Sequence, residues 1–193
     1  MEQDLEKLGY DWVKNNADKI DTVSIYYCQN RDIFQAKVDK MMNDLLKAKS
    51  IDEDSVYLIS AMTGEIGNNS FDHNLGKWTD IAGVFFGYET EGNNLKIVLA
   101  DRGQGVLKSL RQIKPELNND AEALKVAFTE KISGRAPENR GNGLKFVREN
   151  VKNKKMHLTF ISGNAQAELN EKMEIKETKE NIKIKGCLAI LSL

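Results

Sequence analysis

The sequence predicts an α/β (α+β) two-layer sandwich, with a mixed, largely antiparallel sheet that helices cover on one face. Segments with apolar residues at helical spacing alternate with short β-branched stretches, and turn signals join several of these stretches into hairpins. The 193 residues contain no repeat and no low-complexity linker. We therefore expect one domain over residues 1–193, with residues 1–20 as an N-terminal helical extension.

Five helices are predicted from apolar spacing and capping signals. Ser50 and Glu53 form a candidate capping box at the start of the third helix. The predicted helices cover Leu5 to Ala17, Asp32 to Leu46, the segment after Ser50 to Phe71, Ala121 to Phe128, and a segment that begins near Leu144.

Six strands are predicted from β-branched and aromatic runs bounded by turn residues. The second and third are joined by Glu91–Asn94, and the fourth and fifth by Asn164 and Ala165, which indicates two hairpins. The predicted strands cover residues 22–27, 81–88, 95–100, 156–162, 166–175 and 182–191.

Charge and composition exclude several classes of function. Lys and Arg number 28 against 29 Asp and Glu, so no overall field favours nucleic acid or an anionic membrane as a partner. No apolar run approaches the ~20 residues that cross a bilayer, and the acidic N-terminus lacks a signal-peptide core. Cys28 and Cys187 lie in apolar stretches without a metal-binding spacing, which indicates buried thiols. We expect a cytoplasmic protein.

The first candidate functional motif is Glu65-Ile-Gly-Asn-Asn69, within the third predicted helix. Residues four apart share a helix face, so a carboxylate and an amide oxygen would lie together, as magnesium prefers. The carboxylate could also accept a proton from a nucleophile that attacks a phosphate. Taken alone, such a pair is more often a solvated polar face with a C-terminal cap, and His73, one further turn along, is more often a packing or capping residue than a catalytic one.

The second motif is Asp101-Arg-Gly103-Gln-Gly105, directly after an apolar strand. A carboxylate there is costly to bury without a donor, and the amino group of adenine would be a suitable one. The glycines would let the backbone approach the base. An ordinary turn after a strand remains the alternative.

The third motif is Gly141-Asn142-Gly143-Leu144, immediately before a predicted helix. Glycines at a helix N-terminus bring free N–H groups close to phosphate oxygens. Arg140, Arg135 and Lys145 lie nearby and could offset phosphate charge or could simply be solvated.

In this order, the three motifs resemble the N, G1 and G2 boxes of the GHKL superfamily of ATPases. The resemblance covers roughly residues 22–193 and implies the Bergerat ATP-binding fold, with ATP and Mg²⁺ as cofactors. Under this resemblance Glu65 is the catalytic base or water-positioning residue and Asn69 the magnesium ligand. The resemblance assigns nucleotide binding to Asn69, His73, Asp101, Gly103, Gly105, Arg140, Gly141, Asn142, Gly143 and Leu144.

The resemblance also implies an ATP lid over about residues 106–140. Two positions depart from the family pattern. Cys187 stands where a threonine usually follows the glycine of the last strand, and Asp72 replaces a residue that is often basic in histidine kinases.

Within the superfamily, the chain is most similar to stand-alone domains of the anti-sigma factor kinase type. No histidine lies in the first ~50 residues, which disfavours a self-phosphorylating histidine kinase. The expected activity is therefore transfer of the γ-phosphoryl group to serine or threonine of a protein partner, such as a STAS-domain antagonist or a sigma factor. A non-kinase ATP-gated interaction switch and a simple ATPase are the alternatives, and a homodimer stays open.

Overall fold

The structure is a computed structural model that describes residues 4–131, 143–178 and 183–193. In chain order its helices are α1 (Leu5–Lys14), α2 (Arg31–Ala48), α3 (Glu53–Asn74), α4 (Gly105–Leu110), α5 (Asp120–Thr129) and α6 (Gly143–Asn153). Its strands are β1 (Tyr27–Cys28), β2 (Val84–Glu91), β3 (Asn94–Asp101), β4 (His157–Ser162), β5 (Ala165–Leu169), β6 (Met173–Glu177) and β7 (Cys187–Ser192).

The strands form one sheet in the order β1-β2-β3-β7-β4-β5-β6. Every described strand pair is antiparallel, which confirms the predicted antiparallel character of the sheet. The prediction of a mixed sheet also allowed for parallel pairs, and the described strands form none. The last strand of the chain, β7, lies between β3 and β4 at the centre. There Asp101 at the end of β3 pairs with Cys187 at the start of β7.

Four helices, α2, α3, α5 and α6, contribute to one apolar core with one face of the sheet, which agrees with the predicted two-layer arrangement. Helices α2 and α3 pack closely together, because a methyl group on Gly67 would lie 2.1 Å from the ring of Phe34. Since a longer side chain at residue 67 would separate the two helices, glycine permits the packing that holds α3 in place.

Helix α1 packs against the opposite face, which the predicted one-sided covering did not include. Leu5, Trp12 and Val13 lie in a second apolar cluster with Phe85 and Val98 of the central strands. Successive side chains of a strand point to opposite faces. Because the central strands carry apolar side chains on both faces of the sheet, helix α1 is needed to cover the face that the other helices leave open.

The predicted strand at residues 22–27 is wrong over most of its length, because only Tyr27 and Cys28 pair with β2. Val23 and Ile25 are 93% and 80% exposed, in a turn rather than a ladder. The side chain of Asp21 accepts a hydrogen bond from Val23 N, and Ser24 Oγ accepts one from Tyr26 N. Such local bonds favour turns over extended pairing.

Other predicted boundaries also need correction. The strands predicted at residues 81–88 and 182–191 begin later, at Val84 and Cys187. The N-cap of α3 is Asp52, whose carboxylate accepts a hydrogen bond from Ser55 N, and not Ser50. The predicted strand 166–175 is two strands, β5 and β6, separated by a turn in which Asn170 Oδ1 accepts from Lys172 N.

The region predicted as an ATP lid contains helices α4 and α5 in its described part. Helix α5 belongs to the core, where Phe128 packs edge-on against Phe160 of β4 with ring centroids 5.4 Å apart. A lid that included α5 would have to break this packing. Residues 132–140 of the predicted lid lie outside the described residues.

Among the helices that the structure describes, none combines the length and the apolar character that crossing a membrane requires.

Candidate functional site

Helix α3 is the element on which the candidate site is built. Its buried residues, among them Ile59, Met62 and Ile66, face the sheet. The remaining face carries Glu65, which is exposed, and Asn69, which is partly buried. The predicted placement of the two side chains on one polar helix face is consistent with this burial pattern.

The start of α6 lies directly against this pair. A methyl group built on Gly143 would lie 2.4 Å from Glu65 Oε2 and 3.5 Å from Asn69 Nδ2. Gly143 therefore lies beside two residues that precede it in the chain by 74 positions or more. A larger residue at this position would require the Glu65 carboxylate to move.

Asp101 lies at the carboxyl end of β3 and is only 2% exposed. Its Oδ1 accepts hydrogen bonds from Gly103 N at 2.8 Å and from Asn74 Nδ2 at 3.3 Å. Its Oδ2 accepts one from Ser70 Oγ at 2.8 Å. Ser70 and Asn74 are one helical turn apart on α3, so the same helix that carries Glu65 and Asn69 also holds Asp101.

The pKa of Asp101 is raised above its usual value by burial, which disfavours the charged form. Hydrogen bonds from Gly103 N, Ser70 Oγ, Cys187 N and Asn74 Nδ2 act in the opposite direction. The sequence argument that a buried carboxylate here needs a ligand's amino group is therefore weakened, because the protein supplies donors itself.

The turn after Asp101 depends on glycine at residue 103. A methyl group there would lie 2.0 Å from Asn74 Nδ2, so the amide of Asn74 fills the space above the turn. The same amide accepts a hydrogen bond from Gln104 N through Oδ1 at 3.0 Å. Thr79 Oγ1 donates to Gly103 O at 3.0 Å and holds the other side of the turn.

Gly105 has φ +77°, a conformation that favours glycine, and it begins α4. The next residue, Val106, donates its N–H to Ser162 Oγ at 2.9 Å, and this hydroxyl also contacts Cys187 Sγ at 3.7 Å. Burial raises the pKa of Cys187 well above its usual value, so its thiol stays protonated. The turn after Asp101 and the start of β7 thus both contact the hydroxyl of Ser162 at the end of β4.

His73 is exposed, and its side chain faces α4 through a hydrogen bond between Nδ1 and Ser109 Oγ at 3.1 Å. Its carbonyl oxygen accepts from Gln104 Nε2 at 2.8 Å. Its neighbour Asp72 forms an ion pair with Arg31 at the start of α2. Arg31 therefore places a positive charge beside Asp72, which lies three residues beyond Asn69 on α3.

Of the other predicted site residues, Leu144 is partly buried against the main core. Arg140, Gly141 and Asn142 lie outside the described residues. Ser70, Asn74 and Ser162 were not among the residues predicted from the sequence. The signal for the first two was available, because Ser70 and Asn74 are polar residues four apart on the helix and directly follow Asn69 and His73.

Across residues 4–131, 143–178 and 183–193, no cluster of three or more His, Cys, Asp or Glu side chains could hold a metal by itself. Glu65 and Asn69 nevertheless offer a carboxylate and an amide oxygen beside the start of α6. Hard oxygen donors of this number suit a magnesium ion that completes its shell with phosphate and water.

No protein-family model matches the chain, and no curated protein matches it. The described residues define a class of architecture: an α+β protein with a seven-stranded antiparallel sheet, four helices packed on one face and α1 on the other.

Proposed function

We propose that the protein binds Mg-ATP along the C-terminal half of α3. The observation that carries this proposal is the convergence of three distant segments on one helix. Gly143 contacts Glu65 and Asn69, and Asp101 is held one to two turns further along by Ser70 and Asn74. A phosphate-binding end and a base-binding end would thus be separated along a single rigid element.

The ends of this site differ in chemistry, as a nucleotide requires. The N–H groups at the start of α6 would bind phosphate oxygens, and the Asn69 amide would contribute an oxygen to magnesium. Magnesium, when bound, offsets the charge on the phosphates. Asp101 at the other end would accept a hydrogen bond from the amino group of the base.

For the reaction, we propose transfer of the γ-phosphoryl group to a serine or threonine of a protein partner. Glu65 is exposed beside Gly143, so it can reach a hydroxyl that approaches from solvent and accept its proton. Bergerat-fold anti-sigma factor kinases perform this chemistry. The same geometry would also serve an ATPase, or a switch that binds ATP without reacting.

Calorimetric titration of Mg-ATP into the wild type and into Asp101→Asn tests the proposal. The wild type should bind, and the variant should lose about 1–3 kcal/mol, because it lacks the charged acceptor for the base. Asp39→Asn is the matched control, since Asp39 is exposed on α2 and accepts a hydrogen bond from Gln35 Nε2 on its own helix. A folded wild type that does not bind Mg-ATP would refute the proposal.

A further inference from the structure

We infer that Asn74, a residue outside the three motifs, is a positioning residue that fixes the Asp101 carboxylate and thereby makes the site selective for a purine with a 6-amino group. The selectivity rests on the function proposed above, whereas the positioning is a property of this chain alone. Asn74 is 4% exposed and lies at the last position of α3.

Both the nitrogen and the oxygen of the Asn74 side-chain amide form hydrogen bonds. Nδ2 donates to Asp101 Oδ1 at 3.3 Å, and Oδ1 accepts from Gln104 N at 3.0 Å. If the amide were reversed, its oxygen would face the Asp101 carboxylate and its NH2 group would face the Gln104 N–H. Only the observed orientation therefore satisfies both partners. Asn74 therefore connects the end of β3 to the turn that follows it.

The two oxygens of Asp101 consequently have different roles. Oδ1 is held by Gly103 N and Asn74 Nδ2, which are both fixed by the fold. Oδ2 accepts from Ser70 Oγ at 2.8 Å, and a hydroxyl can rotate away without moving the backbone. An arriving amino group can replace the Ser70 hydroxyl at Oδ2, while Asn74 keeps Oδ1 in place.

This arrangement distinguishes purines by the group at position 6. An amino group donates to Oδ2, whereas a 6-oxo group would set its own acceptor oxygen against the acceptor Oδ2. A purine with hydrogen at position 6 makes neither interaction. The affinity for such a purine therefore reports on the rest of the site, without a hydrogen bond to Asp101.

The experiment compares Asn74→Ala with the wild type, using ATP and purine riboside triphosphate as the two probes. The variant should bind ATP about 10-fold more weakly, because one charge-assisted contact becomes poorly aligned. It should bind purine riboside triphosphate within about 3-fold of the wild type. An equal loss for both probes, or no loss for ATP, would overturn the inference. Asn150→Ala is the control, since the Asn150 side chain donates to Phe146 O within its own helix, α6.

Hydrogen exchange at the Gln104 amide provides a second readout that needs no nucleotide. Asn74→Ala removes its acceptor, so exchange should become faster, whereas Asn74→Asp keeps an acceptor oxygen and should preserve protection. Asn74→Asp should still lose ATP affinity, because it sets a second carboxylate against Asp101. Unchanged exchange in Asn74→Ala would overturn the positioning role. If the wild type bound neither probe, the proposed function and the selectivity would fail together, and the exchange data would still decide the positioning.

Discussion

Asp101 and Arg102 are consecutive residues whose side chains leave the end of β3 toward opposite faces of the sheet. The Asp101 carboxylate accepts from Ser70 on α3, and the Arg102 guanidinium donates to the carbonyl oxygens of Trp12 and Asn15 at the end of α1. One dipeptide therefore connects the candidate base-binding end to the N-terminal helix on the other face.

Arg102 is fully buried, with 0% of its side chain exposed, and it depends on Asp80 for its charge balance. Its Nε and Nη2 each donate to one Asp80 oxygen at 2.7 Å, and Lys185 Nζ donates to Oδ2 at 2.7 Å as well. A planar guanidinium matches a carboxylate in this two-bond geometry.

Asp80→Asn should destabilise the protein by about 3–5 kcal/mol, because it leaves a buried guanidinium without its counter-charge. Urea unfolding monitored by tryptophan fluorescence measures this loss. Asp11→Asn is the control, since Asp11 pairs with Lys7 on the surface of α1 and should cost about 0–1 kcal/mol. Equal stability of the two variants would refute the assigned role of the Asp80–Arg102 pair.

The same pair predicts an acid-dependent component of stability. Hydrogen bonds from Arg102 hold the pKa of Asp80 well below its usual value near 4. The pair's contribution is therefore complete above pH ~4 and decreases as the pH falls toward the lower folded-state pKa. The stability difference between the wild type and Asp80→Asn should narrow below pH ~4 in urea titrations. A constant difference down to pH ~2 would contradict this linkage.

Gly143→Ala should weaken Mg-ATP binding about fivefold or more, because the added methyl group displaces the Glu65 carboxylate. The fold should tolerate the change, since the displaced atoms end a flexible side chain. Gly64→Ala on α3 is the matched control, because a methyl group there meets nothing within 4 Å. That control should bind normally and gain up to about 1 kcal/mol of helix stability. Equal binding by both variants would show that Gly143 does not border the site.

Glu65→Gln should reduce single-turnover consumption of ATP by about 10²-fold or more while leaving Mg-ATP affinity within about threefold. Glutamine keeps the size of the side chain but cannot accept the proton. Glu149→Gln is the control, since Glu149 is exposed on α6. Wild-type turnover in Glu65→Gln would show that another group is the base.

The sequence predicted well those elements whose patterns are local and strong. Helices α2 and α3 follow from apolar spacing, and the β2–β3 hairpin follows from two apolar strands around a turn. The strand at residues 22–27 could not be predicted correctly in the same way. Its composition favours a strand, but local side-chain bonds at Asp21 and Ser24 form a turn there.

The motifs of the candidate site could be predicted from the sequence, but the contacts that support them could not. Glu65 and Asn69 are a helix pair that spacing alone places together. The contacts of Asn74 with Asp101 and Gln104 join segments about 30 residues apart, so they depend on how α3 crosses the end of β3. Local patterns carry no information about such a crossing.

Amide chemical-shift mapping of the labelled protein during titration with Mg-ATP tests the proposed site directly. We expect saturable shifts at Glu65, Asn69, Gly103 and Gly143, which are distant in sequence but border one site. The β5–β6 turn at residues 170–172, far along the sheet order, should not shift. Saturable shifts confined to other surfaces, or no shifts at millimolar Mg-ATP, would contradict the claim that α3 carries a nucleotide site.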